Sequence, residues 1–130
     1  MTLLDTHALI WWLQQPDKLS KKAREVIEDA FSQRELAVSS ISYWEMALLA
    51  KKGIIELEPD PGTWFSNNRK LALFQSISID ANIAIQSTHL PSIHADPADR
   101  FIISTAMIHH SPLVSKDAII KKYPYIQVIW

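Results

Sequence analysis

The chain contains no cysteine. Disulfides, thiolate metal sites and cysteine nucleophiles are therefore excluded, and the composition fits a reducing, cytoplasmic setting. Only two glycines occur among 130 residues. No Gly-rich phosphate loop can be built from them, which argues against P-loop and Rossmann nucleotide sites. No apolar run approaches the roughly 18 residues of a membrane span, so no membrane association is expected. The opening Met1-Thr2-Leu3-Leu4 has no basic region and no cleavage pattern, so no signal peptide is expected. Net charge is also nearly absent, at −1. Any nucleic-acid binding must then come from a local basic patch.

What is present is apolar residue content of 48%, too high for a disordered chain. The length suits one domain, residues 1–130. Strand-like and helix-like segments alternate, which indicates an α/β sandwich with a mainly parallel sheet. Strands are expected at 1–5, 36–39, 74–79, 113–115 and 126–130. Helices are expected from Thr6 to Trp12, from a Ser20 cap to Phe31, and from Ser42 to Lys52, the last stopped by Gly53. Further helices should begin at Asp60-Pro61, Asp80 and Asp96-Pro97, with a short helical stretch over 116–122.

Four acids stand at strand ends or helix starts: Asp5, Glu45, Asp99 and Asp117. The carboxyl edge of an open α/β sheet is where ligands bind. Four carboxylates gathered there repel one another, and each resists ionising. A divalent cation resolves the conflict, and hard cations such as Mg²⁺ take oxygen ligands. Phosphodiester hydrolysis is the chemistry such a site supports. Each acid also has a local alternative. Asp5 can cap the helix that follows it. Ser42-Tyr43-Trp44-Glu45 matches a capping box. Asp96-Pro97-Ala98-Asp99 is a regular helix opening, with Asp96 the better cap, and Asp117 can cap the turn after it.

No Ser/His/Asp triad is evident. None of the histidines has zinc-ligand spacing: His7 lies near Asp5, His89 and His94 flank a proline, and His109-His110 end a helix. Arg100, Lys116 and the Lys51-Lys52 pair are candidates for phosphate contacts. Aromatic and apolar residues at Trp11, Trp12, Tyr43, Trp44, Leu48 and Leu49 exceed what a core of this size needs, so some are expected to stack bases or line a partner groove.

Taken in order, Leu4-Asp5-Thr6-His7-Ala8-Leu9-Ile10-Trp11-Trp12, Ser39-Ser40-Ile41-Ser42-Tyr43-Trp44-Glu45-Met46, Asp96-Pro97-Ala98-Asp99-Arg100-Phe101-Ile102-Ile103 and Ser115-Lys116-Asp117 resemble the motifs of PIN-domain ribonucleases. The similarity is greatest to the VapC-type toxins of bacterial type II toxin–antitoxin modules, and it spans nearly the whole chain. It implies a three-layer α/β/α fold and an endoribonuclease that uses Mg²⁺ or Mn²⁺. It assigns the metal-binding and catalytic acids to Asp5, Glu45, Asp99 and Asp117, with Asp96 beside the metal. Ser115 stands where the family usually has Thr, and joins Arg100 and Lys116 as a substrate-contact candidate. The resemblance also implies an RNA substrate, a homodimer and a cognate antitoxin. Two other readings remain open at this stage. One is a receiver-like phospho-acceptor domain centred on Asp80. The other is a PIN-like module that binds without catalysis.

Overall fold

The computed structural model describes residues 1–93 and 95–130; His94 lies outside the described residues. Two of the strands feed helices with almost no linker. β1 (Thr2–Leu4) passes through Asp5 into α1 (Thr6–Gln14). After α2 (Lys21–Ser32), β2 (Leu36–Ser39) continues directly into α3 (Ser40–Lys51). Then come α4 (Pro61–Asn67), β3 (Gln75–Ile77), α5 (Ala81–Thr88), α6 (Pro97–Ile108), β4 (Leu113–Val114) and β5 (Val128–Ile129).

Local capping chemistry sets most of these boundaries. The side chains of Asp5, Ser20, Asp60, Asp80 and Asp96 each accept a backbone N–H from the first turn of the helix they precede. α3 departs from expectation. Its cap is Ser39, the last strand residue, which accepts the Ile41 N–H at 3.3 Å. Because β2 runs straight into α3, the helix starts about one turn earlier than the Ser42 motif suggests, and Ser42 and Glu45 lie inside it.

Helix ends show what little glycine costs. At the end of α3, Ile54 N–H donates to Leu49 O and Gly53 N–H to Ala50 O, both at 3.0 Å, with Gly53 at φ 74°. This is a Schellman closure. The same pair of bonds closes α2 and α6, but there Arg34 (φ 57°) and His110 (φ 50°) occupy the left-handed position.

Among the described residues five strands form one sheet of order β3-β2-β1-β4-β5, and each pairing is parallel. Successive strand side chains point to opposite faces. Leu4, Leu36, Val38, Val114 and Ile129 therefore join one core with α1, α2 and Met46 of α3. Leu3, Ala37, Ile77 and Leu113 join a second core with Ile83 of α5 and Ile102, Ile103 and Ala106 of α6. Helices on both faces make the α/β/α arrangement. β4 ends at Val114, one residue short of the expected strand, because Asp117 N–H turns back to Ser115 Oγ at 3.1 Å. The expected helix over 116–122 reduces to a 3-10 turn at Ile120–Lys122.

β2 and β3 lie on one side of β1, and β4 and β5 on the other. Chain order reverses between β1 and β4, so the crevice at their carboxyl ends is the topological switch point. Asp5 is the residue after β1, and Ser115 is the residue after β4.

Candidate functional site

A pocket of about 460 Å³ opens at this crevice, lined by Asp5, Thr6, His7, Trp11, Glu45, Asp96, Asp99, Lys116 and Asp117. Four separate segments deliver the acids. Asp5 comes from the β1–α1 junction, Glu45 from the second turn of α3, Asp96 and Asp99 from the start of α6, and Asp117 from the loop after β4.

Asp5 is the most enclosed, at 6% exposure. One of its oxygens accepts the Ala8 N–H at 2.8 Å. Burial pushes its carboxyl up from the ordinary 3.8. The Ser115 hydroxyl, the Ala8 N–H and His7 oppose that rise, and Asp117 adds to it. Glu45 is half-buried and its carboxyl is likewise raised from 4.5, first by burial. A hydrogen bond from Thr6 and the nearby His7 oppose the rise, while Asp96 and Asp5 add to it. Like charge acting between Asp5, Glu45, Asp96 and Asp117 is the electrostatic mark of acids crowded at one place.

Asp96 and Asp117 are held by backbone N–H groups. Asp96 caps α6 by accepting the N–H groups of Ala98 (2.9 Å) and Asp99 (3.4 Å). Asp117 accepts the Ile119 N–H at 2.7 Å. The donors of the pocket are mostly carboxylate oxygens, with the Thr6 hydroxyl and the His7 imidazole beside them and no thiolate, which suits a hard divalent cation. Among the described residues no three acidic or histidine side chains form a ready-made cage for an ion. Mg²⁺ does not require one, since it typically binds through one or two carboxylates plus waters and phosphate oxygens.

Several sequence assignments change. Glu45 is not half of a capping box, because Ser42 does not cap α3. Glu45 instead accepts a hydrogen bond from the Thr6 hydroxyl. Ser115 is fully buried, its Oγ accepts the Asp117 N–H at 3.1 Å, and its hydroxyl acts to hold the Asp5 carboxyl down, so it supports the acids rather than touching substrate. Arg100 is drawn away from the pocket: its guanidinium donates to the carbonyls of Ser87 (2.9 Å), Leu90 (3.0 Å) and Pro91 (3.2 Å), tying the α5–α6 loop to α6. Lys51 and Lys52 are exposed at the far end of α3. Lys116 does line the pocket, with its ammonium 5.9 Å from the centre of the Trp11 ring. Trp11 also meets His7 and Trp130, each at 5.7 Å between ring centres. Trp12 is core, stacked near Phe31 and Phe74. Thr6 was not singled out in the sequence. Its signal was its position directly after the strand-end acid.

Asp80 does not line the pocket. It is exposed and caps α5 beside the edge strand β3, while Lys116 follows β4 on the other side of β1. This overturns the receiver-like reading, which needs the two at one site.

An all-parallel sheet of this order, with acids delivered to its switch point, defines a PIN-type domain. The PIN domain family's sequence profile matches residues 2–125, and the chain belongs to that family. Among individual relatives, it is 35% identical to Ribonuclease VapC22 of Mycobacterium tuberculosis (strain ATCC 25618 / H37Rv), over 98% of this chain and 97% of that protein. Its fold is similar to that of VapBC2 from Rickettsia felis, solved bound to a promoter DNA fragment, with a TM-score of 0.74, 16% identity, and 98% and 96% of the two chains covered. It is also similar to a toxin–antitoxin complex from Klebsiella pneumoniae, with a TM-score of 0.68, 23% identity, and coverage of 97% and 95%.

Proposed function

We propose that this protein is a Mg²⁺- or Mn²⁺-dependent endoribonuclease and the toxin of a toxin–antitoxin pair, with its PIN domain spanning the chain. The observation that carries this reading is the meeting of Asp5, Glu45, Asp99 and Asp117 in one pocket at the switch point. The kinship to a named ribonuclease over almost the full chain supports RNA as substrate.

Asp5, Asp99, Glu45 and Asp117 are the residues that would hold the metal, with Asp96 adjoining them. When bound, the cation supplies activation of water and neutralisation of charge on the phosphoryl group. The chain's own residues do the rest. Asp5 and Glu45, whose carboxyls are raised first by burial and then by neighbouring acids, supply carboxylate oxygens at the pocket. Ser115 and the Ala8 N–H orient Asp5. Lys116, exposed at the rim, contacts the RNA backbone, and the adjoining Trp11 excludes water from one wall. Presence of all four acids in one pocket favours catalysis over a PIN-like module that only binds.

The kinship to proteins solved as toxin–antitoxin complexes supports a cognate antitoxin as partner. Its surface on this chain is apolar: Trp44 is 57% exposed, and Tyr43, Phe65, Leu71 and Ala72 line a groove of about 420 Å³ nearby. A homodimer and a cytoplasmic location complete the reading, and no helix among the described residues is long and apolar enough to cross a membrane.

The test is cleavage of RNA by purified protein. Activity should require Mg²⁺ or Mn²⁺, vanish in EDTA and return on metal addition. Asp99→Asn should abolish most of it and Asp96→Asn less, since Asn still caps a helix. Cleavage that persists in EDTA removes the proposal.

A further inference from the structure

Glu45 is a long side chain on a helix surface, yet a catalytic carboxylate must be held in one place. What holds it crosses between helices. Ser42 and Glu45 lie one turn apart on α3, on neighbouring positions of one face. Thr6 opens α1 and stands 36 and 39 residues away from them in sequence. The Thr6 hydroxyl reaches both: Ser42 Oγ at 2.9 Å and Glu45 Oε1. Thr6 is 3% exposed and Ser42 fully buried, so water does not substitute for either contact.

The direction of the two bonds follows from donor counting. An ionised carboxylate accepts only, and a hydroxyl has one proton to give. Thr6 therefore donates to Glu45 and accepts from Ser42. This use of Ser42 departs from the usual habit. Serine and threonine within helices tend to bond back to the carbonyl four residues earlier. In α6, Ser104 and Thr105 do so, to Arg100 O at 2.8 Å and Phe101 O at 2.7 Å. Ser42 instead reaches out of its helix to the residue that follows Asp5.

We infer that Thr6 and Ser42 are positioning residues, forming a hydroxyl relay from Ser42 through Thr6 to Glu45. The relay ties one oxygen of Glu45 and holds its carboxylate at the acidic pocket beside Asp5. It rests on reading that pocket as the metal-binding nuclease site. The same residue that follows the Asp5 acid thereby registers α3 against α1, so two acids 40 residues apart share one anchor.

The test uses the full chain and two readouts: Mg²⁺ binding by calorimetry, and kcat and KM for RNA cleavage. Removing the groups that orient a metal ligand typically lowers metal affinity by about 10- to 100-fold. Thr6→Val keeps the shape and loses the hydroxyl, so it should weaken Mg²⁺ binding by about that factor and lower kcat, leaving the KM for RNA within about twofold. Thr6→Ser should restore both. Ser42→Ala should give a smaller loss, because Thr6 can still donate to Glu45. The double variant should be no worse than Thr6→Val, since Ser42 acts only through Thr6. Wild-type Mg²⁺ affinity and kcat in Thr6→Val, no rescue by serine, or losses that simply add would each overturn the relay. Should Thr6→Val fail to fold, Ser42→Ala decides: weakened Mg²⁺ binding at unchanged KM supports the relay, and unchanged binding overturns it. A wild type that neither binds Mg²⁺ nor cuts RNA instead overturns the nuclease reading, and the relay's role with it. A wild type that does both while Thr6→Val matches it overturns the relay alone.

Discussion

Replacing Asp5 with asparagine separates the two things this residue does. As a cap it accepts the Ala8 N–H at 2.8 Å, and asparagine caps about as well as aspartate. Ser115, a hydroxyl, serves an amide as acceptor as readily as it serves a carboxylate as donor. As a charge, Asp5 is buried, and that burial raises its carboxyl above 3.8 with Asp117 adding to the rise. The folded protein thus keeps the proton to higher pH than the unfolded chain. Asp5's contribution to stability is full below the unfolded value of 3.8 and is lost as pH rises through the folded value. Between the two, it lowers stability by about 1.4 kcal/mol per pH unit. A domain of this size moves by roughly 3–5 °C per kcal/mol. In EDTA at neutral pH, Asp5→Asn should therefore melt above wild type, and the two should converge as the pH falls toward 4. Asp5→Ala instead loses the cap, about 1 kcal/mol, at every pH. Mg²⁺ acts in the opposite direction: at 100 times its Kd it stabilises the wild type by about 2.7 kcal/mol, and the asparagine variant less. Thermal melts of the three proteins across pH, in EDTA and in Mg²⁺, carry the test. If Asp5→Asn melts together with wild type in EDTA at every pH, Asp5 is only a cap and the crowding argument fails.

Arg34→Gly should raise the melting temperature by about 3–5 °C, because Arg34 holds φ 57° at the end of α2 and the left-handed region costs about 1 kcal/mol for a side chain that glycine lacks. Lys116→Ala should weaken RNA binding across sequences and reduce the slope of log affinity against log salt by about 0.7, as expected for loss of one phosphate contact on a single strand. Ser115→Ala should leave that slope unchanged and lower turnover, since Ser115 is buried against Asp5; filter binding in Ca²⁺ at several salt concentrations distinguishes the two variants.

Features determined by local chemistry were legible in the residues. Asp96-Pro97 announces the start of α6 because a cap and a proline at the first helical position act within three residues. Gly53 announces the end of α3 because the Schellman position favours φ above zero. The alternation of strand-like and helix-like segments pointed to the parallel sheet, since parallel strands need a crossover between them. Partnerships across the fold were not legible. Ser42 and Glu45 have capping-box spacing, but β2 joins α3 at Ser39, so the motif lies inside the helix and serves Thr6 instead. Arg100 looked like a phosphate ligand because it adjoins Asp99. Only the folded loop shows three backbone carbonyls claiming its guanidinium. Ser115 was a substrate-contact candidate by resemblance, and it is fully buried at the end of β4, the strand that pairs with the one carrying Asp5.

The central claim is that acids from four separate segments make one metal site. Calorimetric titration of the metal-free protein with Mn²⁺ tests it most directly. Wild type should bind saturably, with binding lost alike in Asp5→Asn and Asp99→Asn and unchanged in Asp80→Asn, where an acid of the same capping chemistry lies away from the pocket. Equal binding by wild type and all three variants, or equal weakening in all three, would contradict it.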